Sequence, residues 1–268
     1  MAQDDFTINC SLALADVALR QRASRARELG FDAVEFWWPF ASEDPHPDEV
    51  DEFVDDVQRA ELETVLLNFP GGGPSAGERG LLSVPGREED FLRSARTALA
   101  VGRRLGVRRF NPMAGDIATD WTPGSPVFET AVANLLSIDE MVGEAGALIV
   151  LEPLSGFPRA ALRTYAQARD LVLAARQAGA ENVSILLDLY HAAVNGDAVL
   201  QPWSVDIELV GHVQIADAPG RGWPGSGGLP LGDWVDRLRE AGYSGRVGLE
   251  CSGEPVPAAR VSLRGAVA

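Results

Sequence analysis

The sequence predicts an α/β protein with a single domain, a (β/α)8 TIM barrel spanning residues 1–268. Short apolar runs alternate with longer amphipathic segments along the chain, a pattern typical of parallel strands joined by helices. Glycine recurs where the helical pattern stops, as in Leu105-Gly106-Val107, which marks the turn from a helix into the next strand. A length of 268 residues is close to that of one such barrel.

Eight apolar runs have the length and composition of strands. In chain order they are residues 6–9, 33–37, 64–68, 107–111, 147–152, 183–188, 212–214 and 247–250. The segments between them predict helices at 19–29, 48–60, 88–105, 127–144, 164–178, 198–209 and 231–241. Few residues follow Cys251, and Pro255 and Pro257 are among them, so we expect the last helix to be abbreviated.

Eight strand–helix units could also form an open doubly wound sheet. No Gly-x-Gly-x-x-Gly motif follows the first strand, which excludes the dinucleotide-binding form of that fold. Polar residues recur at the ends of the last four strands, and an open sheet would spread them too widely to act together. The closed barrel is therefore the preferred prediction.

The composition excludes several classes of function. All 23 Lys and Arg positions are Arg, so enzymes that need a lysine Schiff base or a Walker phosphate loop are excluded. The net charge of −16 argues against a nucleic-acid partner, because such partners bind clustered basic residues. No secretory signal and no apolar run of about 18 residues is visible. We therefore expect a cytoplasmic protein with no membrane partner.

Polar side chains end the last four predicted strands: Glu152, Asp188, Gln214 and Glu250. They are spaced by about one strand–helix unit, so in a barrel they would converge on one rim. Salt bridges to arginine could satisfy one or two of them. Four at the same height are better explained by a hard divalent cation, which prefers oxygen ligands. We expect Mg²⁺ or Mn²⁺, with these four residues as ligands.

Other residues near the predicted rim are candidates for binding substrate. His191 follows Asp188 by three residues and would lie just above the strand end. Arginine binds a carboxylate through two hydrogen bonds, and three arginines are candidates for that role, with a surface salt bridge as the alternative for each: Arg79, Arg87 and Arg221. The Gly- and Pro-rich loop at 70–86 follows the third strand and is predicted to cover the site as a lid.

Eight short motifs occur in a specific order along the chain. They are Gly30-Phe31-Asp32-Ala33-Val34-Glu35-Phe36, Ala76-Gly77-Glu78-Arg79-Gly80-Leu81, Pro85-Gly86-Arg87-Glu88, Met113-Ala114-Gly115, Asp188-Leu189-Tyr190-His191, His212-Val213-Gln214-Ile215-Ala216-Asp217, Pro219-Gly220-Arg221 and Gly248-Leu249-Glu250. In this order and spacing they resemble the hydroxypyruvate isomerase family, within the xylose-isomerase-like sugar isomerase and epimerase barrels.

The resemblance implies a metal-dependent isomerase. Glu152 and Glu250 would act as the acid–base pair and bind the metal with Asp188 and Gln214. His191 and Arg221 would contact substrate oxygens. The implied reaction moves a carbonyl between adjacent carbons of a small hydroxy-carbonyl acid or sugar. Chemistry agrees with this, because a divalent cation stabilises the enediolate that forms when a carboxylate removes a proton beside a carbonyl.

Departures from the family pattern concern the rim of the pocket. Ala192 and Ala193 stand where the family often has Gln, and the segment at 153–157 is altered, so a different substrate is expected for the same proton chemistry. A ketose 3-epimerase, a dehydratase and a non-catalytic sugar-binding barrel remain alternatives. The stretch Phe36-Trp37-Trp38 is expected to be exposed and suggests a homo-oligomer.

Overall fold

The computed structural model describes residues 5–71, 79–117, 121–197, 199–200 and 203–263. Eight parallel strands form a closed barrel in chain order, and the first strand pairs with the last. The closed barrel confirms the predicted fold class, and each strand matches a predicted run to within two residues at either end. The strands are β1 (Phe6–Asn9), β2 (Ala33–Phe36), β3 (Glu63–Asn68), β4 (Arg109–Asn111), β5 (Leu148–Leu151), β6 (Val183–Asp188), β7 (Val210–Ile215) and β8 (Val247–Leu249).

The described residues form eight α-helices, none long and apolar enough to cross a membrane. Six of them match predicted helices closely. The helices are α1 (Cys10–Ala13), α2 (Leu19–Glu28), α3 (Pro47–Arg59), α4 (Glu88–Leu105), α5 (Pro126–Glu144), α6 (Tyr165–Ala178), α7 (Leu189–Val194) and α8 (Leu231–Glu240).

The predicted helix at 198–209 is wrong. The helix after β6 is α7, which begins at the strand end because the side chain of Asp188 accepts hydrogen bonds from the first backbone N–H groups. Pro202 interrupts the predicted segment. Among the described residues between α7 and β7, only Ile207–Leu209 is helical, as a 3₁₀ helix. After β8 the described residues contain only the 3₁₀ helix Ala258–Arg260, in agreement with the abbreviated last helix. The central part of the predicted lid, 72–78, lies outside the described residues.

Two separate apolar layers stabilise the barrel. The large one fills the space between the strands and the surrounding helices. The small one lies inside the barrel and consists of Leu66, Val150 and Leu186, with Leu148 packed against it. Other residues on the inner face are polar and buried, among them Thr7, Asn9, Glu35, Asn68, Asn111, His212 and Gln214. The interior is therefore polar toward the rim where the strands end, which is where such barrels carry their active sites.

Helix α4 approaches β4 closely at a glycine. A Cβ added at Gly102 would lie 2.3 Å from Cζ of Phe110, a fully buried ring of β4. Glycine inside a helix is normally unfavourable relative to alanine, so its place here has a packing reason. The close approach keeps α4 against the strand that carries Asn111.

We expect Gly102→Ala to lower the free energy of unfolding by about 1–3 kcal/mol, because the added methyl group forces Phe110 or the helix to move. Gly143→Ala is the matched control, since its Cβ would meet only the side chain of Asn182, at 2.9 Å. Urea unfolding followed by circular dichroism measures both. Equal destabilisation of the two variants would contradict the packing argument.

Candidate active site

Three carboxylates converge at the rim of the barrel, and we call them the carboxylate cluster. Glu152 follows β5, Asp188 ends β6 and Glu250 follows β8. All three are buried, with exposed fractions of 8%, 3% and 2%. Gln214, the fourth predicted ligand, lies beside Asp188 in the register of β6 and β7. The structure thus brings the four strand-end residues to one rim, as the sequence predicts.

Arg221 supplies the positive charge that contacts this cluster. Its Nη2 lies 2.9 Å from Asp188 Oδ2 and 3.1 Å from Glu250 Oε2, and its Nε donates to the backbone carbonyl of Glu250. Burial lowers the pKa of Arg221, but Glu250, Asp188 and Glu152 outweigh burial and raise it above its ordinary value. Arg221 therefore remains charged and binds two of the three carboxylates directly.

The loop that carries Arg221 is built around a buried aspartate. Both carboxylate oxygens of Asp217 accept backbone N–H groups, from Ala218 and Leu229 on one oxygen and from Gly225 and Gly227 on the other. A Cβ at Gly227 would lie 2.2 Å from the carbonyl oxygen of Ala218, so the conformation of the loop around Asp217 requires glycine at this position. This loop holds the guanidinium of Arg221 over the carboxylate cluster.

His191 lies on α7 within the same group. Its Nε2 lies 3.6 Å from Glu152 Oε1 and 3.7 Å from Asp188 Oδ2. On its other side the backbone N–H of Ser155 donates to Nδ1 at 2.9 Å. Burial lowers the pKa of His191 to about 4, with Arg221 adding to this effect and Asp188 opposing it. The ring is therefore neutral at pH 7.

Two residues that the sequence analysis missed hold the catalytic candidates. Asn111, at the end of β4, donates to Glu152 Oε2 at 2.7 Å, and the indole of Trp37 donates to Glu250 Oε1 at 2.7 Å. The expectation of an exposed stretch is confirmed for Trp37, which is 40% exposed and lines the cavity above the cluster, and is wrong for Phe36, which is fully buried. Asn111 ends β4 and Glu152 follows the neighbouring strand β5, so strand order could have indicated their contact. Trp37 and Glu250 follow β2 and β8, which are separated by β1, so no local pattern indicates theirs.

The environment raises the pKa of both predicted acid–base residues. Burial raises the pKa of Glu152 well above its ordinary value, and the charges of Glu250 and Asp188 add to the effect. Burial likewise raises the pKa of Glu250 to about 7, with Arg221 opposing it. Carboxyl groups with such raised pKa values can hold and release a proton near neutral pH.

The donor set fits a divalent cation. Once all three carboxylates are ionised, one guanidinium leaves two negative charges, which one divalent cation would balance. Oxygen or nitrogen atoms of Glu152, Asp188 and His191 lie within 4.8 Å of one another. Because Nδ1 of His191 accepts from Ser155, its Nε2 carries the proton and faces these carboxylates as a donor. Among the described residues, Gln214 Oε1 is buried and accepts no hydrogen bond, and Glu250 Oε2 is buried with the guanidinium of Arg221 3.1 Å away. Oxygen atoms of this kind are the ligands that Mg²⁺ and Mn²⁺ prefer.

A cavity of about 570 Å³ opens above the cluster. Polar residues of the site lie on its lining together with apolar side chains, among them Trp37, Trp38, Phe40, Phe69, Met113, Leu154 and Phe157. Arg79 also lines the cavity, stacked over the ring of Phe157 and paired with Asp116. Arg87 is not among the described residues that line it, because it pairs with Asp90 in the first turn of α4. The structure therefore does not bring the predicted substrate contact of Arg87 to the site.

Residues 23–266 match the family model of the xylose isomerase-like TIM barrel. The chain belongs to this family. A relative named "Putative hydroxypyruvate isomerase" from Streptomyces coelicolor is 36% identical and covers 93% of this chain and 91% of its own. A relative named 2-oxo-tetronate isomerase from Cupriavidus necator is 29% identical over 91% of both chains. The resemblance inferred from the motifs is thus confirmed.

A solved structure has the same barrel. The crystal structure of an AP endonuclease, family 2, from Brucella melitensis superposes with a TM-score of 0.81, at 28% identity over 96% of both chains. This likeness extends along the whole barrel, including the strand ends that carry the site.

We expect a saturating divalent cation to stabilise the purified protein. At 100 times the dissociation constant, Mn²⁺ should raise the free energy of unfolding by about 2.7 kcal/mol, because it binds only the folded cluster. Thermal melting with and without Mn²⁺ measures the effect. Asp188→Asn should reduce the stabilisation, whereas Glu63→Gln, an exposed carboxylate paired with Arg246, should preserve it. An equal response of both variants would place the metal elsewhere.

Proposed function

We propose that this protein is a metal-dependent isomerase that moves a carbonyl between adjacent carbons of a small hydroxy-carbonyl acid or sugar. The carboxylate cluster carries the proposal. Its two glutamates, Glu152 after β5 and Glu250 after β8, have raised pKa values and line the same cavity. The isomerase class follows from relatives named as isomerases that span nine-tenths of the chain.

The proposed reaction needs a base, an acid and stabilisation of a developing oxyanion. A divalent cation held by Glu152, Asp188, Gln214 and Glu250 would polarise the carbonyl and hydroxyl oxygens of the substrate. One glutamate removes the proton from the carbon that bears the hydroxyl group, which yields an enediolate. A proton returned to the neighbouring carbon, together with transfer of the hydroxyl proton to the former carbonyl oxygen, completes the isomerisation, with Glu152 and Glu250 as the two proton-transfer groups.

Hydrogen bonds within the protein position both glutamates. Asn111 holds Oε2 of Glu152 and Trp37 holds Oε1 of Glu250, so in each residue the other oxygen faces the remaining groups of the site. Glu152 Oε1 lies toward His191 and Glu250 Oε2 toward Arg221. Such fixed orientation is what a proton-transfer group requires to act without reorganisation.

His191 and Arg221 are placed to bind substrate oxygens. Arg221 Nη1 lies 2.9 Å from His191 Nε2, while His191 Nδ1 accepts from the backbone of Ser155. A neutral imidazole accepts at only one nitrogen, so with Nδ1 accepting, Nε2 and Nη1 are two donors that face each other. A substrate oxygen beside the pair, within hydrogen-bonding distance of both nitrogens, would accept from both. This supports the implied role of the pair in substrate binding.

The size of the cavity favours a second candidate, a ketose epimerase. A three-carbon acid would fill only a small part of about 570 Å³, whereas a four- to six-carbon substrate would extend along the apolar wall. An epimerase uses the same enediolate and returns the proton to the opposite face of the same carbon. A dehydratase would release water instead, and a binding protein would leave its ligand unchanged. Product analysis separates these outcomes.

We expect the protein with Mn²⁺ or Mg²⁺ to exchange a substrate proton for solvent deuterium. Proton NMR in D₂O, against a panel of hydroxypyruvate, four-carbon keto-acids and ketoses, should show deuterium at a carbon beside the carbonyl. Glu152→Gln and Glu250→Gln should each lower the rate about 10²–10⁴-fold, because each removes a proton-transfer group.

Glu63→Gln is the control for this experiment, since it changes a carboxylate remote from the cluster and should exchange at the wild-type rate. Deuterium exchange that persists in both active-site variants would contradict the roles of Glu152 and Glu250. Metal binding without turnover of any compound in the panel would instead favour the binding protein.

We expect His191→Gln to lower kcat/KM about 10–100-fold through the loss of a hydrogen bond to a charged substrate oxygen, worth about 1.5–3 kcal/mol. Steady-state kinetics on the substrate found above measures it. His46→Gln is the matched control, because His46 is exposed at the N-terminus of α3. An unchanged kcat/KM in His191→Gln would remove His191 from the substrate-binding residues.

A further inference from the structure

A buried carboxylate that the proposed reaction does not use lies beneath the metal site. Glu35, on the inner face of β2, is fully buried inside the barrel. Its Oε2 accepts from Gln214 Nε2 at 2.7 Å, and its Oε1 lies 2.7 Å from His212 Nε2. Glu35 therefore binds two successive inward-facing residues of β7, one of which is a proposed metal ligand.

The barrel provides space for this carboxylate by means of a glycine. A Cβ added at Gly248 would lie 2.5 Å from Glu35 Oε1, 2.8 Å from its Oε2 and 2.8 Å from Gln214 Cγ. Gly248 precedes Glu250 by two residues and shares its inward face. The absence of a side chain at Gly248 thus allows Glu35 to reach across the barrel interior to Gln214.

We propose that Glu35 is a positioning residue that fixes the orientation of the Gln214 amide. An ionised carboxylate only accepts hydrogen bonds, so it selects the amide nitrogen and turns the amide oxygen away. That oxygen, Oε1, is buried and accepts no hydrogen bond within the described structure. Glu35 therefore leaves Gln214 with an oxygen, the atom a hard cation needs, directed away from the carboxylate.

The inverted amide would serve the site poorly. With the amide rotated, its oxygen would face the oxygen of Glu35 and its nitrogen would face the metal. An NH₂ group cannot act as a ligand for Mg²⁺ or Mn²⁺, which bind oxygen. Partners that orient a ligand in this way typically change metal affinity 10–100-fold when they are replaced.

The inference rests on the proposed metal site and is tested by metal affinity rather than activity. Metal-free protein is titrated with Mn²⁺, and free Mn²⁺ is measured by electron paramagnetic resonance. Glu35→Gln should raise the dissociation constant about 10–100-fold, because an amide at this position can hold Gln214 in either orientation. Circular dichroism confirms that each variant is folded.

A double substitution separates orientation from charge. In the Gln214→Leu background no amide remains to be oriented, so adding Glu35→Gln should change the dissociation constant little if Glu35 acts through Gln214. An equal effect of Glu35→Gln in both backgrounds would show that only its charge matters, and would overturn the inference.

An exchange of the two residues gives an independent test. Glu35→Gln combined with Gln214→Glu keeps one hydrogen bond between the pair and the same net charge, and it offers the metal an oxygen in either orientation. We expect Mn²⁺ affinity within a few-fold of wild type. This variant also provides the test if Glu35→Gln alone does not fold, and affinity more than tenfold weaker would then contradict the inference.

The outcomes for wild type distinguish the two proposals. Wild-type protein that binds no Mn²⁺ would overturn the metal site and the role of Glu35 together. Wild-type binding with an unchanged dissociation constant in Glu35→Gln would overturn only the role of Glu35. Thr7→Val, which changes another buried polar side chain of the inner face, is the control and should bind Mn²⁺ as wild type does.

Discussion

Mutual repulsion among three buried carboxylates is the constraint on which the rest of the site depends. Glu152, Asp188 and Glu250 end neighbouring or nearby strands, so the closed barrel forces their charges together in a region that water enters little. Arg221 neutralises part of this charge through Asp188 and Glu250. Burial raises the pKa values of Glu152 and Glu250, and the neighbouring negative charges add to the effect. The proposed proton transfer and the proposed metal binding would therefore have one physical origin.

The fold tolerates this polar rim because its stability comes from elsewhere. The large apolar layer lies between strands and helices, whereas the apolar cluster inside the barrel has only Leu66, Val150 and Leu186 as buried members. Burial of apolar area contributes roughly 25 cal/mol per Å², so the outer layer dominates. The inner face is thus available for polar residues such as Glu35 and Gln214, which are hydrogen-bonded to each other.

The sequence predicts the barrel and the strand-end residues because both leave local patterns. A strand end is visible where an apolar run meets a polar residue, as at Asp188. The contacts of Trp37 with Glu250 and of Glu35 with Gln214 leave no local sequence pattern, since they join residues 213 and 179 positions apart. The chemistry of arginine makes Arg87 a candidate for the site, whereas the structure pairs it with Asp90 in the first turn of α4. Helix α7 was missed because its six residues are too few for a periodic pattern.

Carboxylates have two different roles at this rim, and the number of hydrogen bonds that each accepts determines its role. Asp217 is buried, but four backbone N–H groups satisfy its two oxygens, so it acts as the fixed centre of a loop. Among the described residues, Glu152 receives a hydrogen bond from Asn111 and lies near the negative charges of Glu250 and Asp188 as well as the positive charge of Arg221. A carboxylate that is fully hydrogen-bonded is stable as an anion, whereas one left partly unsatisfied beside other anions takes up a proton or a cation. The loop anchored by Asp217 carries Arg221. Asp217 therefore sets the position of the guanidinium that pairs with Asp188 and Glu250.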